Sequence, residues 1–268
     1  MSVTPSTEIV AKIRQRHLIE LIARGKRLDG RDLADYREIK IESGVIGKAE
    51  GSALVNLGNT KVMAGVKIST GEPFPDTPNE GILTVNAELV PLASPTFELG
   101  PPSENAIELA RVVDRGIRES KAIDLEKLCI VPGKNVFVVF IDVYILNHDG
   151  NLVDASALAA LAAVLNAKIP NYEVKEGAVQ IKEGHSKLPT KNLPITVTIA
   201  KIDGKLLVDP FLLEEQVMDA KISIAIDQDE KICAIQKSGL GIFTLEMIQE
   251  SMKIVLEKSK QLRKIVTG

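Results

Sequence analysis

The sequence predicts an α+β protein of two similar halves, each passing from strands into a helix, with both halves packed as one compact body. Turn-flanked strand patterns precede a helical pattern between residues 52 and 120, and again between residues 195 and 263. No long or compositionally biased linker separates them. We therefore expect an N-terminal helix in residues 1–25, a first half in residues 26–190 and a second half in residues 191–268.

A helix and a β-hairpin are the first elements predicted. Apolar residues at helical spacing follow a Thr-Pro pair near the start of the chain, and Gly25 ends this pattern. Residues 52–57 and 61–68 flank the Gly-Asn pair at 58–59, which is typical of a tight turn between antiparallel strands. These two segments therefore predict a hairpin.

A strand, a helix, a buried strand and a second helix complete the first half. We expect a strand over residues 81–89 and, after a loop containing proline and glycine, a helix over residues 104–120. Residues 135–146 are largely apolar at both odd and even positions, which is typical of a strand covered on both faces. Residues 154–166 are rich in Ala and Leu on all sides, so this helix should be buried between the halves.

The second half repeats the plan of strands followed by a helix. The expected strands are residues 195–202, 205–208, 221–226 and 231–236. A long helix over residues 245–263 follows them.

Composition limits the function classes. The 268 residues carry a net charge of -3 and only 3% aromatic residues, so any binding of nucleic acid must depend on a local basic surface rather than on stacking platforms. Cys129 and Cys233 lack metal-site spacing, and we expect buried free thiols. No segment is apolar enough to cross a membrane, which predicts a cytoplasmic protein.

Three arginines share one face of the helix over residues 104–120. Arg111, Arg115 and Arg118 fall together at helical spacing, and the apolar residues lie on the opposite arc. The guanidinium group matches phosphate oxygens and keeps its charge, so this face could bind an RNA backbone. Alternatively, it is a solvated face on which Glu104, Glu108 and Asp114 pair with the arginines.

Other chemical groupings are weaker. The histidines, His17, His148 and His185, are far apart in the chain and form no metal or triad pattern. The acidic residues are Asp209, Glu214, Glu215 and Asp219. They could bind a divalent ion, although such clusters more often mark a solvated strand end. The Gly-Leu-Gly sequence at residues 239–241 lacks a full phosphate-loop pattern and is better interpreted as a tight turn.

Several segments resemble ribonuclease PH-type domains. The Arg-Leu-Asp-Gly-Arg sequence at residues 27–31, residues 49–63 and residues 105–115 are similar to that family. Residues 208–210 and 218–222 resemble the inactive ring subunit of the archaeal exosome, and the likeness covers nearly the whole chain. This resemblance implies a ribonuclease PH-like fold.

The same resemblance implies partners. Inactive subunits of this family alternate with active ribonuclease PH-like subunits in a hexameric ring that carries RNA-binding cap subunits and degrades single-stranded RNA from its 3′ end with phosphate. By resemblance, Arg111, Arg115 and Arg118 face the composite site formed with the active neighbour. We expect them to bind RNA, with no membrane partner, metal or cofactor.

The chain departs from the family pattern where catalysis requires charge. Active members hold phosphate with an arginine in the loop after the central strand, and this loop, residues 147–152, ends here in Leu152. Lys221 stands where the resemblance implies a catalytic aspartate, whereas Asp209 could be a surviving one. An apolar side chain cannot hold an anion, so no catalytic residue is assigned.

Three other functions compete with this interpretation. An independent phosphorolytic exoribonuclease is disfavoured by Leu152 and Lys221. A purely architectural ring subunit, whose arginines form only salt bridges, stays open. A small-molecule kinase is disfavoured because the sequence has no complete nucleotide-phosphate loop.

Overall fold

The first half is built on a six-stranded sheet. The computed structural model describes residues 15–175 and 178–268. Strands of the sheet are β1 (Ile39–Ser43), β2 (Gly51–Leu57), β3 (Thr60–Gly71), β4 (Ile82–Leu89), β5 (Cys129–Val131) and β6 (Asn135–Asn147). Their order is β1-β2-β3-β6-β4, with β5 paired to β6. The predicted hairpin is confirmed, because β2 and β3 pair antiparallel around the turn at residues 58–59.

Helices cover one face of this sheet. The described residues contain the helices α1 (residues 15–23), α2 (Glu104–Glu119), α3 (Leu152–Asn166), α4 (Leu212–Glu215) and α5 (Leu245–Thr267), of which α2 and α3 cover this face. Short 3-10 turns occur at Pro91–Ala93 and Leu125–Leu128. Helix α2 packs on β4 and α3 on β2 and β3. The part of the predicted N-terminal helix before residue 15 lies outside the described residues.

Helix α3 joins the two halves, as its composition predicts. It contacts β2 and β3 on one side and reaches β9 and α5 of the second half on the other. The approach to β2 is close: a Cβ at Gly51 would lie 2.4 Å from the Ala163 carbonyl oxygen and 2.7 Å from the Ala167 Cα. Only glycine allows this separation without displacing the helix.

A four-stranded antiparallel sheet forms the second half. Its strands are β9 (Ile195–Ile202), β10 (Lys205–Val208), β11 (Ala220–Ile226) and β12 (Ile232–Gly239), in the order β10-β9-β11-β12. Helix α5 packs on β9 and β11. The strands-then-helix plan of both halves is therefore present, whereas the exact boundaries at residues 25 and 190 stay predictions.

The central strand β6 corrects one expectation. It lies between β3 and β4, and residues 136–139 are buried consecutively. Beyond them burial alternates, and Tyr144 is 38% exposed. Helices α2 and α3 cover a single face of this sheet, which is antiparallel except for the β4–β6 pair, so its far part has an open face.

Some elements were not expected from the sequence. These are β1, β5, α4 and a separate hairpin of β7 (Lys168–Lys175) and β8 (Ala178–Lys187). Cys129 and Cys233 are free but only partly buried, so the expectation of fully buried thiols was wrong. Within the described residues, no helix has the length and apolar character needed to cross a membrane.

Candidate nucleic-acid interface

Helix α2 presents the predicted arginine face. Ser103 caps the helix by accepting a hydrogen bond from the Ala106 nitrogen at 3.3 Å. Glu104 stands in the first turn, where its negative charge interacts favourably with the helix dipole. Leu109, Val113 and Ile117 are buried against the core. The back of the helix is thus fixed, and the opposite face is exposed to solvent.

Arg111 and Arg115 are exposed and lie between two concave surfaces. A cleft of about 310 Å³ separates them from β11 and β12 and is largely apolar, with Ile107 and Ile235 in its wall. On the other side, a groove of about 400 Å³ runs between α2 and β4. Among the residues that the structure describes, neither guanidinium has an ion-pair partner within 4.0 Å, so their donors remain available.

Arg118 is engaged within the chain. Its Nε donates to Oδ2 of Asp114 at 2.9 Å, and its Nη2 donates to Oδ1 of Asp114 at 2.6 Å and to the Leu83 carbonyl oxygen at 2.8 Å. The hydrogen bond with Asp114 raises the pKa of Arg118. The three arginines do share a face, but only two of them have unengaged side chains.

The alternative pairing of all three arginines with α2 acids is not what the structure contains. Asp114 pairs with Arg118 alone, and Glu108 instead accepts a hydrogen bond from the Ser238 hydroxyl of β12. This second contact fastens α2 to the second-half sheet. Within the described residues, the acids of α2 thus form no direct ion pair with Arg111 or Arg115.

A second cavity collects the two positions at which the sequence departs from the family pattern. It has a volume of about 210 Å³ and is lined by Leu152 and Lys221 together with Phe97, His148 and Glu215. Leu152 is there because the chain turns sharply into α3 after β6. Gly150 has a φ of +83°, and a Cβ at this position would lie 2.5 Å from the backbone of Phe211, so the turn requires glycine.

Charges lining this cavity are partnered internally. The Lys221 ammonium lies 3.3 Å from Oε1 of Glu215, and the Asn151 backbone nitrogen donates to the same oxygen at 3.2 Å. His148 stacks on Phe97 with ring centroids 5.4 Å apart, and burial lowers its pKa, which favours the neutral imidazole. Sequence reasoning assigned no role to His148, because its position beside the cavity depends on the turn that follows β6.

The remaining acidic residues fix the fold. The Asp209 carboxylate is fully buried and pairs with Arg31 and Arg37. Burial alone would raise the pKa of Asp209, but the hydrogen bonds and charge of Arg37 lower it overall. Glu214 pairs with Arg27 at the start of the 27–31 segment. That segment therefore ties the first half to the second.

Three of the four acidic residues in the predicted cluster are engaged by cations of the chain. Asp209, Glu214 and Glu215 are each matched by an arginine or a lysine. Across residues 15–175 and 178–268, no group of three or more His, Cys, Asp or Glu side chains could hold a metal ion. The possibility that Asp209 survives as a catalytic acid also loses support, because its oxygens are occupied by arginines.

The fold defines a ribonuclease PH-like α+β protein, with Arg111 and Arg115 exposed on α2. Models of the 3′ exoribonuclease family match this chain, with domain 1 over residues 35–170 and domain 2 over residues 192–258. The chain therefore belongs to the 3′ exoribonuclease family.

Known proteins agree with this assignment. The chain is 57% identical over 261 residues to the exosome complex component Rrp42 of Pyrococcus abyssi, covering 97% of this chain and 95% of the relative. It is similar to a chain of the Archaeoglobus fulgidus exosome solved with RNA bound to the active site, with 46% identity, a TM-score of 0.88 and coverage of 96% and 98%. A chain of an archaeal exosome core is 42% identical, with a TM-score of 0.87 and coverage of 99% and 100%.

Proposed function

We propose that this chain is a non-catalytic ring subunit of an exosome, acting in the cytoplasm, and that it holds RNA beside the active site of a catalytic homologue. The observation that carries the proposal is that Leu152 and Lys221 line one cavity. Attack by phosphate requires donors for one anion and stabilisation of a leaving oxygen. This cavity offers an aliphatic side chain at one position and, at the other, a lysine already paired with Glu215.

The RNA-binding part of the proposal depends on Arg111 and Arg115. Both are exposed, both lie on a rigid helix, and each offers a planar set of donors that matches phosphate oxygens. Contacts of this kind position a strand without reading its sequence. A chain of the exosome solved with RNA bound to the active site is 46% identical to this chain, which supports RNA as the ligand.

The partners follow from the missing chemistry. A subunit without a phosphate site needs an active ribonuclease PH-like subunit beside it, and we infer a closed hetero-hexameric ring of the two. RNA-binding cap subunits would complete the assembly, and single-stranded RNA would be its substrate. The relatives named as exosome components support this assembly.

The test compares the chain alone with the chain mixed with an active homologue. Light scattering measures the mass, and release of nucleoside diphosphates from single-stranded RNA measures phosphorolysis. We expect no release from the chain alone and a ring with phosphate-dependent activity from the mixture. Robust release by the purified chain would contradict the non-catalytic assignment, and a chain that stays monomeric in the mixture would contradict the ring.

A further inference from the structure

Asp114 lies among the three arginines, and both of its carboxylate oxygens accept hydrogen bonds from Arg118. The Asp114–Arg118 pair is bidentate, with distances of 2.9 and 2.6 Å, and Arg118 is additionally fixed by the Leu83 carbonyl oxygen of β4 at 2.8 Å. An aspartate four residues before an arginine is the favourable orientation for an ion pair on a helix. The pair is partly exposed, with side-chain exposures of 40% for Arg118 and 26% for Asp114.

Arg111 is the other helical neighbour of Asp114. It stands three residues earlier, a spacing at which side chains on a helix meet, whereas the adjacent Arg115 does not face Asp114. One groove of about 400 Å³ is lined by Asp114 and by all three arginines. If Arg118 were absent, the Asp114 carboxylate would lose its partner and would be free to pair with Arg111.

We infer that Arg118 is a positioning residue that occupies Asp114 and so keeps Arg111 available for an RNA phosphate. The inference rests on the proposed function, because it concerns how the same face binds RNA. It assigns Arg118 a role different from direct RNA contact. The β4 carbonyl contributes by holding the guanidinium in the orientation that engages both carboxylate oxygens.

A double-mutant cycle in the assembled ring separates the two roles. Wild type, Asp114→Asn, Arg118→Ala and the double variant are compared for binding of single-stranded RNA in phosphate-free buffer, with ring mass checked by light scattering. Arg118→Ala should weaken binding about twofold to fivefold, the range expected when a surface ion pair competes with the ligand. Adding Asp114→Asn should restore binding to within about twofold of the Asp114→Asn ring.

The decisive quantity is the gain produced by Asp114→Asn in each background. If Arg118 acts through Asp114, the gain is larger in the Arg118→Ala ring than in wild type, because only there is the carboxylate free to compete. Equal gains in both backgrounds would mean that Arg118 contacts RNA directly and would overturn the inference. Unchanged binding in the Arg118→Ala ring would overturn it as well.

Two further variants complete the design. Arg118→Gln keeps a donor for the Leu83 carbonyl oxygen but loses the charge, so it replaces Arg118→Ala if that ring fails to assemble. The Arg111→Ala/Arg115→Ala ring is measured in the same assay. If its binding is unchanged, the RNA-binding proposal itself fails; if it is weakened while the cycle is additive, only the role of Arg118 fails.

Discussion

Asp209 receives three hydrogen bonds from Arg37: from the backbone nitrogen at 2.9 Å, from Nε at 2.9 Å and from Nη2 at 2.7 Å. The Asp209 side chain is 0% exposed and that of Arg37 is 9% exposed. Arg37 precedes β1 of the first half, and Asp209 follows β10 of the second. The pair therefore links the halves at a point where water cannot replace either partner.

Replacing Arg37 with methionine should destabilise the protein strongly. Removing one partner of a buried pair leaves the other charge without compensation, and with Arg31 still present we expect a loss of roughly 3 kcal/mol in the free energy of unfolding. Urea denaturation measures this loss. Because the pKa of Asp209 is lowered by the pairing, the stabilisation is present near neutral pH and should decline as the pH falls through that pKa.

Lys40→Met is the matched control for this substitution. Lys40 pairs with Glu38 at 3.1 Å, but both side chains are largely exposed, so its loss should change the free energy of unfolding by less than about 0.5 kcal/mol. Similar losses in the two variants would show that the Arg37 pair is no more important than a surface contact.

Changes in the cavity beside α3 should leave catalysis by the ring nearly unaffected. We expect Leu152→Met and Lys221→Gln rings to degrade RNA within about twofold of wild type, because the first preserves apolar volume and the second removes only a partly exposed ion pair. Initial rates of nucleoside diphosphate release measure this. A tenfold loss in rings of normal mass would place the cavity in the reaction and contradict the non-catalytic assignment.

Asp154 should give the stability a distinctive pH dependence. It accepts hydrogen bonds from Tyr36, Asn151 and Thr198, yet burial raises its pKa from 3.8 to about 6. The folded protein thus binds this proton more tightly than the unfolded chain, so the associated stability is full below about pH 3.8 and is lost as the pH rises to about 6.

The Asp154→Asn variant lacks this titration and isolates its effect. Between about pH 4 and pH 6.5, wild type should lose roughly 2 kcal/mol of unfolding free energy relative to the variant. Urea denaturation at several pH values measures the difference. A difference that stays constant over this range would mean that Asp154 does not titrate there.

Local patterns predicted the elements that local sequence determines. The Ser103 cap and the apolar spacing of α2, and the all-round apolar composition of α3, are properties of single segments. In contrast, β1 is a short edge strand that is stabilised by pairing with β2, and the β7–β8 hairpin includes Pro170, which weakens any strand pattern. Such elements depend on pairing between strands rather than on a regular pattern within one segment.

The candidate site divides in the same way. Helical spacing is enough to place Arg111, Arg115 and Arg118 on one face. It does not reveal that Arg118 reaches the Leu83 carbonyl oxygen, because that contact requires α2 to pack beside β4. Nor does it place His148 next to Lys221, which lies on β11 of the other half.

The remaining prediction concerns the salt dependence of RNA binding. Each phosphate contact to a single strand releases counterions and contributes about 0.7 to the slope of log affinity against log salt, so the Arg111→Ala/Arg115→Ala ring should show a slope flatter by roughly 1 to 1.5. Binding and turnover should weaken similarly for unrelated sequences, because backbone contacts are sequence-independent. Titrations at several salt concentrations with two unrelated RNAs measure both effects.

The control is the Lys40→Ala/Lys61→Ala ring. It loses the same number of positive charges, but from the sheet surface, away from α2. Both lysines are exposed, and they border a different concave surface, so neutralising them tests whether net charge alone explains the change in slope. We expect this control ring to keep most of the wild-type slope, because salt screens the effect of charges that lie farther than about 8 to 10 Å from the bound RNA. Equal flattening in both rings would assign the effect to net charge, and a wild-type slope in an intact Arg111→Ala/Arg115→Ala ring would leave these arginines as architectural charges.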